Sequence, residues 1–138
     1  MNVRGAFLLE ALVATLVLAI ATLGLLGLTT LAIDSVAHAR WRAEAAVLAS
    51  STVAQMSVAP PSTLEADYDP AGGGAGYRAL ASLAQHLPGV AAGTNAPSIA
   101  IARRAGGSAV TASVRISWQQ PGDTAPHRYA IEDALVAW

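Results

Sequence analysis

The chain has no cysteine among its 138 residues. Disulfides and thiolate metal sites are therefore excluded, and an oxidising compartment is permitted. Charge is scarce: Asp, Glu, Lys and Arg make up 12% of the residues, for a formal net charge of -1. That leaves no basic field of the kind that attracts nucleic acid. No internal repeat is visible. The most consequential absence is local. From Ala11 to Ile33 there is no Asp, Glu, Lys, Arg or His.

That uncharged run is rich in Leu, Ala, Val and Ile, with Gly24 and Gly27 inside it. As a helix rising about 1.5 Å per residue it covers roughly 34 Å. A bilayer's hydrocarbon core is about 30 Å thick, so the run is long enough to span it once with some tilt. Glycine is also more frequent in membrane helices than in soluble ones. A cleaved conventional signal peptide fits poorly. Its apolar core would be shorter, and its small-residue cleavage site would follow the core; here Gly5 precedes it.

Glu10 stands at the mouth of the span. An acidic side chain within a spanning helix costs roughly 2.5–3.5 kcal/mol on insertion scales, and such a residue calls for a partner. Arg4 on the N-terminal flank directs that end to the cytoplasm by the positive-inside tendency.

Gly5 followed by Ala6-Phe7-Leu8-Leu9-Glu10 resembles the class III signal of type IV pilins and type II secretion pseudopilins. The resemblance implies that residues 1–5 are a leader, cut off after Gly5 by a membrane aspartic prepilin peptidase. It also implies methylation of the new N-terminus at Ala6, where the family usually has Phe. Glu10 falls on the Glu that the family carries at its fifth mature position. Cleavage would free an α-amine with a reference pKa of about 7.7–8.0. A carboxylate and an ammonium gain far more from pairing in an apolar setting than in water. Glu10 of one subunit would thus pair with the Ala6 amine of a neighbour and set axial register.

Residues 34–57 contain no Gly or Pro and are rich in Ala, a strong helix former. The helix is expected to run from about Ala6 to about Val58 and to stop at Pro60-Pro61. Val36, Ala39, Ala43, Ala46, Val47, Ser50, Val53 and Ala54 mark one apolar stripe at three- and four-residue steps. Residues 59–96 are rich in Pro, Gly, Ser and Asp. Within them Gly72-Gly73-Gly74 reads as a flexible surface loop, and Tyr77 to Leu87 as a short helix ended by Pro88-Gly89.

The C-terminal part changes period. Val110, Ala112, Val114, Ile116 and Trp118 alternate with Thr111, Ser113, Arg115, Ser117 and Gln119. Period two is the mark of a strand with one buried face. Ile99 and Ile101 predict a shorter strand before it, joined through Ala105-Gly106-Gly107-Ser108. Tyr129, Ile131, Leu135 and Ala137 predict a strand after it. Pro121-Gly122 suits the two central positions of a type II turn. The expected fold class is α+β and pilin-like: one long N-terminal helix packed on a small antiparallel sheet of three or four strands. The expected divisions are a membrane half over 6–33 and an outer domain over 34–138. The outer domain comprises helix 34–58, loops 59–96 and strands 97–138. Trp118 is expected to pack on the helix stripe near Val47.

Enzymatic signals are weak. His38, His86 and His127 show no metal-ligand spacing along the chain. Asp67 and Asp69 lack the further ligands of a calcium loop and read as a solvated acidic turn. Arg103-Arg104 reads as a strand end in solvent. Trp41, Trp118 and Trp138 read as core or interface residues, and no nucleophile stands with a base. Catalytic residues, metal and cofactors are accordingly expected to be none.

Leu9-Glu10-Ala11-Leu12-Val13-Ala14, Leu23-Gly24-Leu25-Leu26-Gly27-Leu28 and Arg42-Ala43-Glu44-Ala45-Ala46 are similar to PilV-type minor pilins, the type IV pilus modification proteins. So are Val114 to Asp123 and His127-Arg128-Tyr129, which resemble that family's C-terminal hairpin. The resemblance implies a low-abundance filament subunit acting in priming, assembly or tip formation. Its implied partners are prepilin peptidase, other minor pilins, the major pilin, the inner-membrane assembly platform and the lipid bilayer, with no nucleic acid. Its implied place is the inner membrane, N-terminus in the cytoplasm and C-terminal domain in the periplasm, and then the pilus at the cell surface. Two alternatives stand: a minor pseudopilin of type II secretion, and a single-pass membrane protein with a periplasmic binding domain.

Overall fold

A computed structural model describes residues 3–90, 94–103 and 109–136. It divides into two compact units, Met1–Ala39 and Arg40–Trp138. The helix α1, Val3–Val58, passes through both. It begins a few residues earlier than Ala6 because nothing in Val3-Arg4-Gly5 forbids helix, and it ends at Val58 as the two prolines require.

The first unit is α1 alone. The second is α+β. After α1 come α2 (Leu64–Tyr68), α3 (Ala75–Ala84), β1 (Ser98–Arg103), β2 (Ala109–Trp118) and β3 (His127–Val136). The strands form one antiparallel sheet in the order β1-β2-β3, with β2 central. Val114 pairs with Ile99 on one side and Ile131 on the other. The period-two reading of β2 holds position by position. Val110, Ala112, Val114, Ile116 and Trp118 are all buried, and the residues between them are not. The turn holds as well: the Asp123 N–H donates to the Gln120 carbonyl at 3.1 Å, and Gly122 has φ +101°. That is the positive φ a type II turn demands after its proline. Of the remaining expectations, Ala105 to Ser108 and the strand end at Ala137 lie outside the described residues, as do Met1, Asn2, Arg104 and Trp138.

The helix stripe needs correction. The face of α1 in the core is Ala45, Ala49, Thr52, Val53 and Met56, with Trp41 and Leu48 partly covered beside it. Val47 is 65% exposed, and Ala43, Ser50 and Ala54 are exposed too. Of the expected stripe in this unit, only Val53 is buried. In an Ala-rich helix both sides look apolar, so periodicity underdetermines which one is covered. The large side chains of the sheet, Trp118 and Ile116 above all, decide it, because they need the small Ala45 and Ala49 in the same cluster.

The loop region is also more ordered than expected. α2 was not foreseen, and it adds Leu64 and Tyr68 to the core. α3 starts and ends earlier than Tyr77–Leu87 and contributes Leu80 and Ala84. The glycine run is a packed turn. A Cβ on Gly74 would overlap the Asp67 carbonyl oxygen, so glycine is there to permit close backbone approach.

Candidate functional site

Gly5, Ala6 and Glu10 all lie on α1 in the first unit. Ala6 and Glu10 stand four residues apart, hence on one helix face. Glu10 is exposed and makes no ion pair among the described residues. Around a Cβ placed on Gly5 there is open space.

Every large apolar residue from Phe7 to Ile33 is exposed, from 51% at Val13 to 71% at Phe7 and Ile33. An apolar surface of this extent is a contact surface, for lipid or for protein. The threonine hydroxyls inside it are bonded to the helix's own carbonyls. Thr15 donates to the Leu12 carbonyl at 2.9 Å, Thr22 to Ala19 at 2.9 Å, Thr29 to Leu26 at 2.8 Å and Thr30 to Leu26 at 3.1 Å. Polar groups satisfied within their own helix are what a hydrocarbon environment requires. α1 is long and apolar enough to cross a membrane, and none of that stretch is buried by the chain's own fold.

The second unit has a groove of about 360 Å³ between α2 and β1, lined by Glu65, Ala66, Tyr68, Asp69, Pro70, Ile99 and Ile101. Arg103, at the end of β1, donates through Nε to Glu65 and through Nη2 to the Pro61 carbonyl at 3.1 Å. Arg103 is thus an exposed strand end, as the sequence suggests, and it also links β1 to α2. A basic residue ending a strand after an Asp- and Glu-bearing segment was the only available sign. The Asp69 carboxylate accepts from the Ala71 and Gly72 N–H groups, each at 2.9 Å, which is the turn chemistry expected of that residue. Burial, and after it the Asp67 carboxylate, push the Tyr68 hydroxyl above its ordinary value of 10.0.

At the β2–β3 end, Trp118 and His127 are cross-strand partners and stack at 5.7 Å. Asp123 lies 3.2 Å from His127 Nε2 and accepts from the Gln120 N–H at 2.8 Å. The Trp118 Nε1–H is buried and has no hydrogen-bond partner among the described residues. Asp123 and His127 are thereby accounted for as a lock on the hairpin that carries the core tryptophan. No family model, curated protein or solved structure matches the chain.

Proposed function

We propose that the chain is a minor subunit of a type IV pilus, of the PilV type. Prepilin peptidase cuts it after Gly5, methylation falls on Ala6, and the protein is held in the inner membrane by α1 before entering the filament. Its N-terminus is cytoplasmic and its C-terminal domain periplasmic. The single observation that carries this reading is Glu10, an exposed carboxylate one helical turn from Ala6 at the head of a bare apolar helix. An anchor that only had to hold a domain at a membrane has no use for that charge. A subunit that docks into a bundle of like helices does: Glu10 meets the Ala6 amine of its neighbour, and each compensates the other's desolvation. The domain beyond α1 acts as a binding and assembly module, with no catalytic role. It contacts other minor pilins, the major pilin and the assembly platform.

Processing tests the reading. The intact mass of the mature protein should fall by the Met1–Gly5 leader in cells that have the peptidase and not in cells that lack it. Gly5→Val should leave an uncleaved precursor in the membrane, because the residue before the scissile bond must offer no side chain. Normal processing of Gly5→Val, or an intact wild-type leader, would remove the basis for the assignment and leave a plain single-pass protein.

A further inference from the structure

β1 is an edge strand of the sheet. Its inner-face residues are not equally covered. Ile99 is 7% exposed, whereas Ile101 is only half-buried. The side chains of both line the groove, with Tyr68 on the far side. The outer face of β1 carries only Ser98, Ala100 and Ala102, all small and exposed. The sheet ends at β1, and the groove lies between this edge strand and α2. Arg103 ties the end of β1 to α2 through Glu65 and to the Pro61 carbonyl before it.

We infer that the gap beside β1 is a docking slot for an extended peptide segment of a partner protein, which adds to the sheet as a fourth strand. An added strand would satisfy the outward N–H and C=O groups of β1. Every second side chain would enter the groove over Ile99, Ile101 and Tyr68, and the others would lie over Ala100 and Ala102. The groove therefore selects aliphatic residues at alternate positions. Its charge selects further. Glu65 is already paired with Arg103, but Asp69 presents an exposed carboxylate that, among the described residues, accepts from backbone N–H groups alone. The complementary segment carries Arg or Lys at the end that meets Asp69. The inference stands whether or not the chain belongs to a pilus.

The test uses the full chain in nanodiscs, with empty nanodiscs as the blank, and fluorescence anisotropy of a labelled peptide, Arg-Val-Thr-Val-Thr-Val. This peptide should bind saturably, and one with Pro at its central valine should not. Replacing its Arg by Glu should weaken binding by roughly fivefold, the size of one charge reversal at a partly exposed site. Asp69→Asn keeps one of the two turn acceptors and removes the charge, so it should abolish the difference between the two peptides. Ile101→Trp, at a half-buried position, should fill the groove and block both. Hydrogen exchange should slow at β1 amides when peptide is added. Equal binding of the Pro peptide would overturn the inference, as would undiminished binding to Ile101→Trp or no binding above the blank.

Discussion

Replacing Trp118 by Ala puts the core of the second unit to its sharpest test. Trp118 is 2% exposed and is the largest of the fully buried side chains. A tryptophan removes about 150–250 Å² from water, worth roughly 4–6 kcal/mol at 25 cal/mol per Å². Two corrections lower this. The unfolded chain already hides part of that surface. The buried Nε1–H has no partner among the described residues, and such a donor costs about 1–3 kcal/mol. The expected loss is therefore about 3–4 kcal/mol, within the usual range for an aromatic cut to Ala. A domain of this size holds about 5–15 kcal/mol in all, and each kcal/mol moves its Tm by about 4–8 °C. Thermal unfolding of the full chain in detergent, followed by near-ultraviolet circular dichroism, should drop by at least about 12 °C or lose its cooperativity. Trp118→Phe keeps an aromatic ring and discards the orphan donor, so it should cost less than half as much. An unchanged Tm for Trp118→Ala would refute the burial argument. A Phe variant as unstable as the Ala variant would show that the indole N–H has a partner in solution.

The covered side of α1 can be checked by a pair of changes. Ala49→Leu should destabilise by about 1–3 kcal/mol through overpacking, whereas Val47→Ser should stay within about 0.5 kcal/mol, both read by denaturant unfolding. The reverse ranking would restore the stripe that periodicity alone suggests. Tyr68 sets an alkaline limit. Its hydroxyl titrates above 10.0 in the folded state, so the folded protein holds that proton more tightly than the unfolded chain. Its contribution is intact below 10.0 and is lost as pH rises through the higher folded value. Alkaline unfolding should therefore be shallower in Tyr68→Phe, and identical curves would exclude this origin. Glu10→Leu should insert and be processed normally but should not reach sheared filaments, because a neighbour's amine would enter an apolar bundle unpaired, at a cost of several kcal/mol. Wild-type incorporation would make Glu10 an incidental interfacial charge, and loss of cleavage would move its role to peptidase recognition.

The parts legible in the sequence share one property: the information lies within a few residues. A run without charge from Ala11 to Ile33 is long and apolar enough to cross a bilayer wherever the domain sits. Pro60-Pro61 stops α1, the alternation from Val110 to Trp118 makes a one-sided strand, and Pro121-Gly122 closes a type II turn. Each of these needs only local sterics and backbone hydrogen bonds. The candidate residues Gly5, Ala6 and Glu10 also come from a short local stretch, through the resemblance of Gly5 to Glu10 to the class III signal. What the tertiary structure decided is choice between locally equivalent options. Ala43 and Val47 are as apolar as Ala45 and Ala49, yet only the latter two are buried, because the sheet presents Trp118 and Ile116 to them. Arg103 is the solvated strand end that the sequence suggests, but its partners, Glu65 of the short α2 and the Pro61 carbonyl before it, have no local signal. The groove beside β1 has no signature in the chain at all. It lies between the edge strand β1 and α2, two elements that only the assembled domain brings together.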